Sequence, residues 1–485
     1  MTIVGDSELY EVMQGLNPWW QNPAYASHPV RRTAFHETCA WFFKPDFKRA
    51  LVLSGPRRVG KTVILHQLAQ ELITRGWNPK DILYLTLDHT IVKLYSLDRI
   101  LKAYRENVRP GNGSAVLLLD EIQFAKDWTT WIKLTVDFKP EFRIVATGSA
   151  AVEIVSSSQE SAVGRWIMVK VPTLSFYEYL ALAGFETPVQ PDDIQLSSLA
   201  SMTRAERNGL AAETLPARDR FHEYLLKGGF PELVKERDLS EAQAQIREDV
   251  VNRVLKYDMT SLFGVRRIPE MERLFAYFCV NSGGLMDQKS LAKELGINVR
   301  TLSDYIDYLL SAGLIYLLPS IEMGGKSTLK ARHKVYIADA SIRNAVLMKG
   351  EGVLADDREM GLLVETAVYQ HVHAWGYRSF PRFGYWRDRA GREVDLVRIS
   401  PDGTILPIEV KYKSETRGAD EKNLREFLKA SGAKLGIMAV KRSEEFDVLP
   451  AGEARLLKIP AYLFMLLLGH AHDRRSRRLP WDSGE

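Results

Sequence analysis

The sequence predicts a multidomain α/β protein, and three observations predict it. A glycine-rich loop, GPRRVGKT at Gly55–Thr62, lies between an apolar strand pattern and a helical pattern. Dense apolar runs that end in acidic or hydroxyl residues follow it, as strands buried in a parallel sheet do. The chain has 485 residues, enough for roughly three domains at about 150 residues each.

Composition narrows the class. Charged residues are 26% and hydrophobic ones 46%, so each domain can bury a core, which excludes a disordered chain or a disulfide-stapled miniprotein. Lys plus Arg is 65 and Asp plus Glu is 61, a net charge of +4. That permits local basic patches without demanding nucleic acid. Cys39 and Cys279 stand far apart, in line with a reducing, cytoplasmic setting. The first residues lack the basic start and apolar run of a secretory signal. The longest oily stretch, Ala461 to Gly469, is half a membrane span; a buried strand or helix is expected, and no membrane. Trp19 and Trp20 follow Pro18, which predicts an N-terminal arm packed on a domain.

Arg49 to Leu53 is the first strand. After the loop, Val63, Ile64, Leu68, Leu72 and Ile73 give a helix that Gly76 ends. Gly55 and Gly60 let the backbone wrap a polyphosphate; Pro56 lies on the loop, and the N–H groups of Arg57, Arg58 and Val59 onward to Val63 line the loop and helix start. Lys61 reaches the terminal phosphates of ATP, and Thr62 holds Mg²⁺. Asp81 to Leu87 is the next strand. Ala115 to Leu119 is a buried one, ending at Asp120 and Glu121. Asp120 is the metal's carboxylate partner, and Glu121 the base for a water attacking the γ-phosphate. Phe142 to Ala146 is a strand ending in Thr147, Gly148 and Ser149. Thr147 or Ser149 senses the γ-phosphate or positions the water, or the segment is only a turn. Arg165, before the strand Trp166 to Val171, either completes a neighbouring subunit's phosphate site or is a surface residue.

Ala183 to Arg220 is polar and reads as an insertion or loose helical excursion, with Pro188, Pro191, Asp192 and Asp193 in it. Phe221 to Leu226 starts a helix and Ala242 to Lys256 is another, together a helical lid. Next, Leu291, Ala292 and Leu295 share one helix face, Gly296 turns, and Val299, Leu302, Ile306 and Leu309 share a second. Gly313 then leads into a strand, Leu314 to Leu318. Helix, turn, helix, strand is a winged-helix pattern. A DNA-binding version starts its recognition helix with Asn298, Arg300, Thr301 and Ser303; Asp304 and Asp307 oppose phosphate contact, so packing or protein contact stays open. Lys326, Lys330, Arg332, His333 and Lys334 lie just beyond and tip the balance towards DNA as partner.

HKVYIAD, His333 to Asp339, opens the C-terminal region as a strand, with a helix at Ser341. Met360 to Val372 is a helix carrying Glu365. Tyr385 to Arg387, Glu393 to Ile399, Ile405 to Lys411 and Leu435 to Val440 are strands, and Leu424, Phe427 and Leu428 mark a helix. Glu409 and Lys411 share a strand face. With Asp395 they form a set suited to holding Mg²⁺ and activating a water for phosphodiester cleavage. Such a pair also arises as a surface salt bridge. The tail, with Arg474, Arg475, Arg477 and Arg478, is expected to be flexible.

Taken in order, GPRRVGKT, LLLDEIQ, ATGS, GR and LSFYEYL (Leu174 to Leu180), with NPWW at Asn17–Trp20 and GGFPE at Gly228–Glu232, resemble the bacterial and archaeal AAA-type (AAA_14-like) ATPases with a C-terminal DUF4143 domain. The likeness runs from about residue 15 to 470. It implies an ATP-binding AAA core and, through AAA relatives, a homo-oligomer, hexamer or dimer. The C-terminal set resembles the PD-(D/E)XK nuclease fold: Asp395 matches the first acidic motif, Glu409, Val410 and Lys411 the E-x-K motif, and Glu365 the helix carboxylate. The usual Pro before the first Asp is absent, and Glu393-Val394 stands there.

The expected layout is a P-loop ATPase domain with its arm over 1–180, a helical lid over 181–265, a winged helix over 266–325, a restriction-endonuclease-like domain over 326–470 and a basic tail over 471–485. The expected function is ATP hydrolysis coupled to DNA binding or remodelling, with Mg²⁺-dependent cleavage left open. The alternative is a nucleotide-dependent protein-interaction switch whose nuclease-like domain is inactive. A small-molecule kinase explains neither the winged helix nor E-x-K.

Overall fold

β1 (Ala50–Ser54) and β3 (Ala115–Asp120) are buried at every residue. They join β2 (Ile82–Thr86), β4 (Phe142–Gly148) and β5 (Trp166–Lys170) in a parallel sheet of order β2-β3-β4-β1-β5. Helices between the strands cover both faces, so alternation with polar residues is not needed. The computed structural model describes residues 6–22, 24–110, 113–149, 164–186, 196–321 and 332–477. It divides into two units: Met1–Pro172 with Ser311–Gly313 and Asp473–Glu485, and Thr173–Leu310 with Leu314–His472. Cys39 and Cys279 are both free thiols.

In the first unit, β2 is an edge strand, and an unpaired edge invites pairing with another chain. The arm covers it with side chains instead of a strand. The Asn17 amide donates to Tyr84 O (2.9 Å) and accepts from Tyr84 N–H (2.7 Å). The indole N–H groups of Trp19 and Trp20 both donate to Ile82 O, at 3.1 and 2.9 Å. Trp19 is fully buried against Tyr25, His66 and Tyr84. That is why NPWW reads as a unit.

In the second unit, Phe221–Leu226 ends a helix rather than starting one. The helix runs Arg204–Lys227, through much of the stretch expected to be loose. Thr203 and Glu206 form its capping box, a start signal that the polar composition around it obscured. Residues 187–195, with Pro188, Pro191, Asp192 and Asp193, lie outside the described residues. The GGFPE motif follows. A Cβ on Gly229 would stand 2.0 Å from a carboxylate oxygen of the buried Asp339, so only glycine fits this approach.

The helix Asp357–Ala374 is held to the helix Phe176–Leu182 through His371. The ring Nε2 accepts from the Phe176 N–H at 2.8 Å, and Nδ1–H donates to Ala367 O at 2.7 Å. Burial pushes this imidazole down to about 4. An unfolded histidine protonates near 6.5, so between about 6.5 and 4 the unfolded state binds the extra proton. Stability is therefore full above pH 6.5 and falls as pH drops towards 4, by about 3 kcal/mol from this group. Thermal melts at pH 7 and pH 4.5 should show the loss, and His371→Gln should flatten it. An unchanged pH slope in the variant would assign the loss elsewhere.

Helix Ile268–Val280, β6 (Gly284–Met286), helices Gln288–Leu295 and Val299–Ser311, β7 (Ile315–Leu318) and β8 (His333–Ile337) follow in that order. Their sheet is antiparallel, β6-β8-β7, the arrangement of a winged helix. Leu291, Ala292, Leu302, Ile306 and Leu309 are buried as the periodicity requires, Leu295 is half-buried, and Val299, on the first turn of the second helix, is exposed. HKVYIAD therefore belongs to this sheet and does not open the C-terminal one. Its Ile337 registers opposite Ile315 and its Val335 opposite Leu317, apolar cross-strand pairs that fix it here.

The last domain is helix Asp357–Ala374, then β9 (Arg382–Arg387), β10 (Glu393–Ile399), β11 (Ile405–Lys411), helix Gly418–Ser431, β12 (Leu435–Val440), β13 (Asp447–Ala451) and β14 (Ala454–Pro460). The sheet order is β13-β14-β12-β11-β10-β9. β9, β10 and β11 are antiparallel; β11, β12 and β14 run parallel. Leu424, Phe427 and Leu428 close one face against Val394, Val397, Met438 and Val440. The oily stretch near the end is a helix, Ala461–Arg477, and it carries Arg474, Arg475 and Arg477 in its last turn. The expectation of flexibility fails there: the buried run from Ala461 to Leu468 propagates the helix, and cations suit its C-terminus. Arg478 lies outside the described residues. No helix among the described residues is long and apolar enough to cross a membrane.

Candidate functional site

The nucleotide loop leaves the C-terminal end of β1. A Cβ on Gly55 would lie 2.0 Å from Val171 O, so the loop begins where backbone touches backbone. Left-handed residues at Arg58 (φ 62°) and Gly60 (φ 89°) turn it into helix Lys61–Thr74. Val59 is buried, while Val63, on the first helical turn, is 41% exposed. Lys61 is buried, and its Nζ donates to Gly55 O (2.9 Å) and Pro56 O (2.7 Å).

Asp120 ends β3 beside this helix. The Thr62 hydroxyl donates to its Oδ2 at 2.7 Å, and the Tyr84 hydroxyl to the same oxygen at 3.1 Å. The Thr147 hydroxyl donates to Oδ1. Burial pushes the Asp120 carboxyl up; the Thr147 hydroxyl opposes this and the neighbouring Glu121 adds to it. Burial, then the Asp120 charge, push the Tyr84 hydroxyl up as well, so it remains a donor. Glu121 sits in the left-handed region (φ 56°), its N–H on Thr147 Oγ1 at 3.0 Å and its carboxylate taking a bond from Gln123. Thr147 is thus engaged with Asp120. Ser149 Oγ, on the residue directly after β4, is buried with no partner among the described residues.

This arrangement fits a nucleotide and a divalent ion. Thr62 and Asp120 are a hard-oxygen pair suited to Mg²⁺, and the Ser149 hydroxyl at the end of β4 is buried and orphaned. Arg165 is elsewhere. It precedes β5, next to the start of β1, where Ala50 N–H bonds Arg165 O, and its guanidinium pairs with Asp137 at 3.1 Å. The five residues of β1 separate it from its own loop by roughly 16 Å at about 3.3 Å each.

The second constellation lies in the C-terminal domain. Glu365 comes from helix Asp357–Ala374, Asp395 from β10, and Glu409 and Lys411 from β11. Asp395 N–H donates to Glu409 Oε2 (3.3 Å), Val410 N–H to Asp395 Oδ2 (3.0 Å), and Lys411 pairs with Glu409. Burial, then the Asp395 charge, raise Glu365 to about 7 and Glu409 to about 8. The structure brings all four together. It adds three residues the pattern did not reveal as members: Lys334 and Tyr336 from β8, and Glu393 from β10. Lys334 Nζ lies 2.6 Å from Glu393, 3.3 Å from Asp395 and 3.6 Å from Glu365, and Tyr336 OH donates to Glu365 at 2.7 Å. Lys334 is 3% exposed, so it does not meet a DNA backbone; it shares a strand face with Tyr336, which also reaches the cluster. Arg332 is held by Asp287 (2.7 Å). Lys326 and Lys330 lie outside the described residues. Among the described residues, no group of three or more His, Cys, Asp or Glu side chains is arranged to hold a metal ion.

In the winged helix, Asn298 caps the second helix, its Oδ1 taking the Thr301 N–H at 2.7 Å. Arg300 is exposed beside it; Asp304 and Asp307 are exposed too.

Residues 47–180 match the AAA_14 family of AAA domains, and residues 360–462 match DUF4143, a domain of unknown function. The chain joins an AAA domain to a DUF4143 domain. Between them, residues 218–352 match DUF8612, also of unknown function. An uncharacterized protein of Haemophilus influenzae is 25% identical over 408 residues, covering 81% of this chain and 90% of that protein. One of Methanocaldococcus jannaschii is 24% identical over 438 residues, covering 88% and 86%. Among solved structures, AMPPCP-bound DnaA from Aquifex aeolicus is 17% identical with a TM-score of 0.25, over 61% of this chain and 92% of that one. Hsp104 with ATPγS and casein is 16% identical with a TM-score of 0.29, over 62% and 53%.

Proposed function

We propose that this chain hydrolyses ATP to ADP and phosphate and couples the cycle to DNA binding through its winged helix. The carrying observation is the Thr62–Asp120 pair at 2.7 Å, beside the buried Lys61 on the nucleotide loop. Loop N–H groups and Lys61 bind the phosphates. Glu121 takes the proton of a water as its oxygen bonds to the γ-phosphorus and the bridging P–O bond breaks, releasing ADP. Mg²⁺, when bound at Thr62 and Asp120, supplies charge neutralisation. Ser149 is the γ-phosphate sensor of the Thr147–Ser149 pair, because Thr147 is occupied with Asp120. Arg165 serves a neighbouring copy's phosphates in a homo-oligomer, hexamer or dimer, since it stands at the opposite end of β1 from its own loop.

For DNA, Arg300 is the exposed cation on the second helix of the motif. Phosphate release of the full chain is expected to rise several-fold with duplex, forked or junction DNA. Arg300→Ala should weaken DNA binding and reduce the slope of log affinity against log salt by about 1. Fluorescence anisotropy across a salt series checks this. Unchanged turnover with every DNA would remove the coupling.

The strand and helix order of the C-terminal domain supports a nuclease-like fold. Cleavage would require a divalent ion at Asp395 and Glu409 with Lys411 on the phosphate. The buried ammonium of Lys334 favours the other reading, a domain that holds DNA or a protein without cutting. DNA cut in Mg²⁺ by wild type and spared by Glu409→Ala would restore the nuclease.

A further inference from the structure

We infer that Lys334 is a built-in cation of the C-terminal carboxylate cluster, standing in the place of a divalent metal ion. Three acidic groups from two elements converge on one ammonium: Glu393 and Asp395 from β10, and Glu365 from helix Asp357–Ala374. The ammonium arrives from a third element, β8, which belongs to the winged-helix sheet. Its side chain is 3% exposed, so solvent supplies little of its stabilisation. Carboxylates in a buried site need a compensating cation, and one positive charge lying between several of them serves the purpose a bound metal serves. The two cations compete for the same oxygens. While Lys334 is in place, Asp395 has both oxygens engaged, one with the ammonium and one with Val410 N–H.

Two consequences follow. With Lys334 on these oxygens a divalent ion has no free carboxylate to take, so in this conformation the cluster does not supply the chemistry that the E-x-K motif suggests. The lysine also fastens the β6-β8-β7 sheet to the C-terminal sheet by charge, so anything that withdraws β8 leaves Glu365 and Asp395 without its ammonium, with Lys411 on Glu409 and Arg387 by Glu393 still in place. This inference goes beyond the ATPase reading and does not depend on it.

The test uses the full chain without nucleotide, with Mn²⁺ as the probe counted by titration calorimetry and electron paramagnetic resonance. Wild type and Asp395→Asn should bind the same number of Mn²⁺ ions. Lys334→Met keeps the aliphatic stem and removes the charge. It should gain one Mn²⁺ per chain, and Mn²⁺ should raise its melting temperature. The double variant Lys334→Met/Asp395→Asn should lose that ion again. A wild-type Mn²⁺ ion that Asp395→Asn removes would overturn the inference. So would a cooperatively melting Lys334→Met that gains none. If Lys334→Met does not fold, the comparison of wild type with Asp395→Asn decides alone: equal counts sustain the inference and a lost ion refutes it. Failure of ATP turnover in any arm bears on the first unit and leaves the Mn²⁺ count as the measure.

Discussion

Lys61→Ala is expected to remove ATP turnover, by a factor on the order of 10² to 10³, the loss that follows removal of a single preorganised charge donor. Nucleotide affinity should fall with it. The reason is visible without nucleotide. The Lys61 ammonium is buried and faces two neutral carbonyls, Gly55 O and Pro56 O. An arriving phosphate offers this ammonium a charged acceptor, and a charge-assisted bond is stronger than one to a neutral carbonyl. The same charge also lowers the Asp120 carboxyl against its burial, so the variant weakens the neighbouring metal site too. Phosphate release and binding of a fluorescent ATP analogue measure the two losses separately. Turnover within two-fold of wild type would remove the ATPase reading entirely.

How far the sequence could show this differs between the two constellations, for a physical reason. In the AAA domain the candidate groups lie at the ends of buried strands, and each is announced by the apolar run before it. Lys61, Thr62, Asp120 and Thr147 could be placed from such runs, and the structure brings Thr62 and Thr147 within hydrogen-bond reach of Asp120. Tyr84 could not. It lies inside β2, where a tyrosine in ILYLT reads as core, and only the neighbouring strand reveals that its hydroxyl reaches Asp120. The C-terminal cluster shows the same limit more strongly. Glu409 and Lys411 share a strand, so their common face follows from period two. Lys334 is sixty-one positions from Asp395, on a strand of another sheet. Its neighbours Arg332 and His333 made it look like part of a basic surface. Local pattern gives the face a residue occupies within its own strand; it does not give what a different sheet sets against that face. The helix Arg204–Lys227 failed for a third reason. Its capping box was there to read, but its interior is polar and includes Pro216, so periodicity gave no apolar stripe to follow.

Glu121→Gln should separate binding from chemistry. Loss of a positioned general base costs about 10² to 10⁴ in rate, while the loop and Lys61, which hold the phosphates, are untouched. Nucleotide affinity should therefore stay near wild type and single-turnover hydrolysis should stall. The backbone argues that this residue is held in place for a purpose. Glu121 is not glycine, yet it has φ 56°, a conformation that costs on the order of 1–3 kcal/mol unless its surroundings impose it. They do so through one relay: its N–H donates to the Thr147 hydroxyl, which donates to Asp120, which accepts from Thr62 on the nucleotide helix. The backbone that carries the base is thus latched to the groups that would hold the metal. Thr147→Val cuts this latch and leaves both carboxylates in place. It should lower the rate of hydrolysis more than it lowers nucleotide affinity, whereas a residue that only packed β4 would lower neither selectively. Equal losses of rate and affinity in Thr147→Val, or full turnover in Glu121→Gln, would mean that the base lies elsewhere.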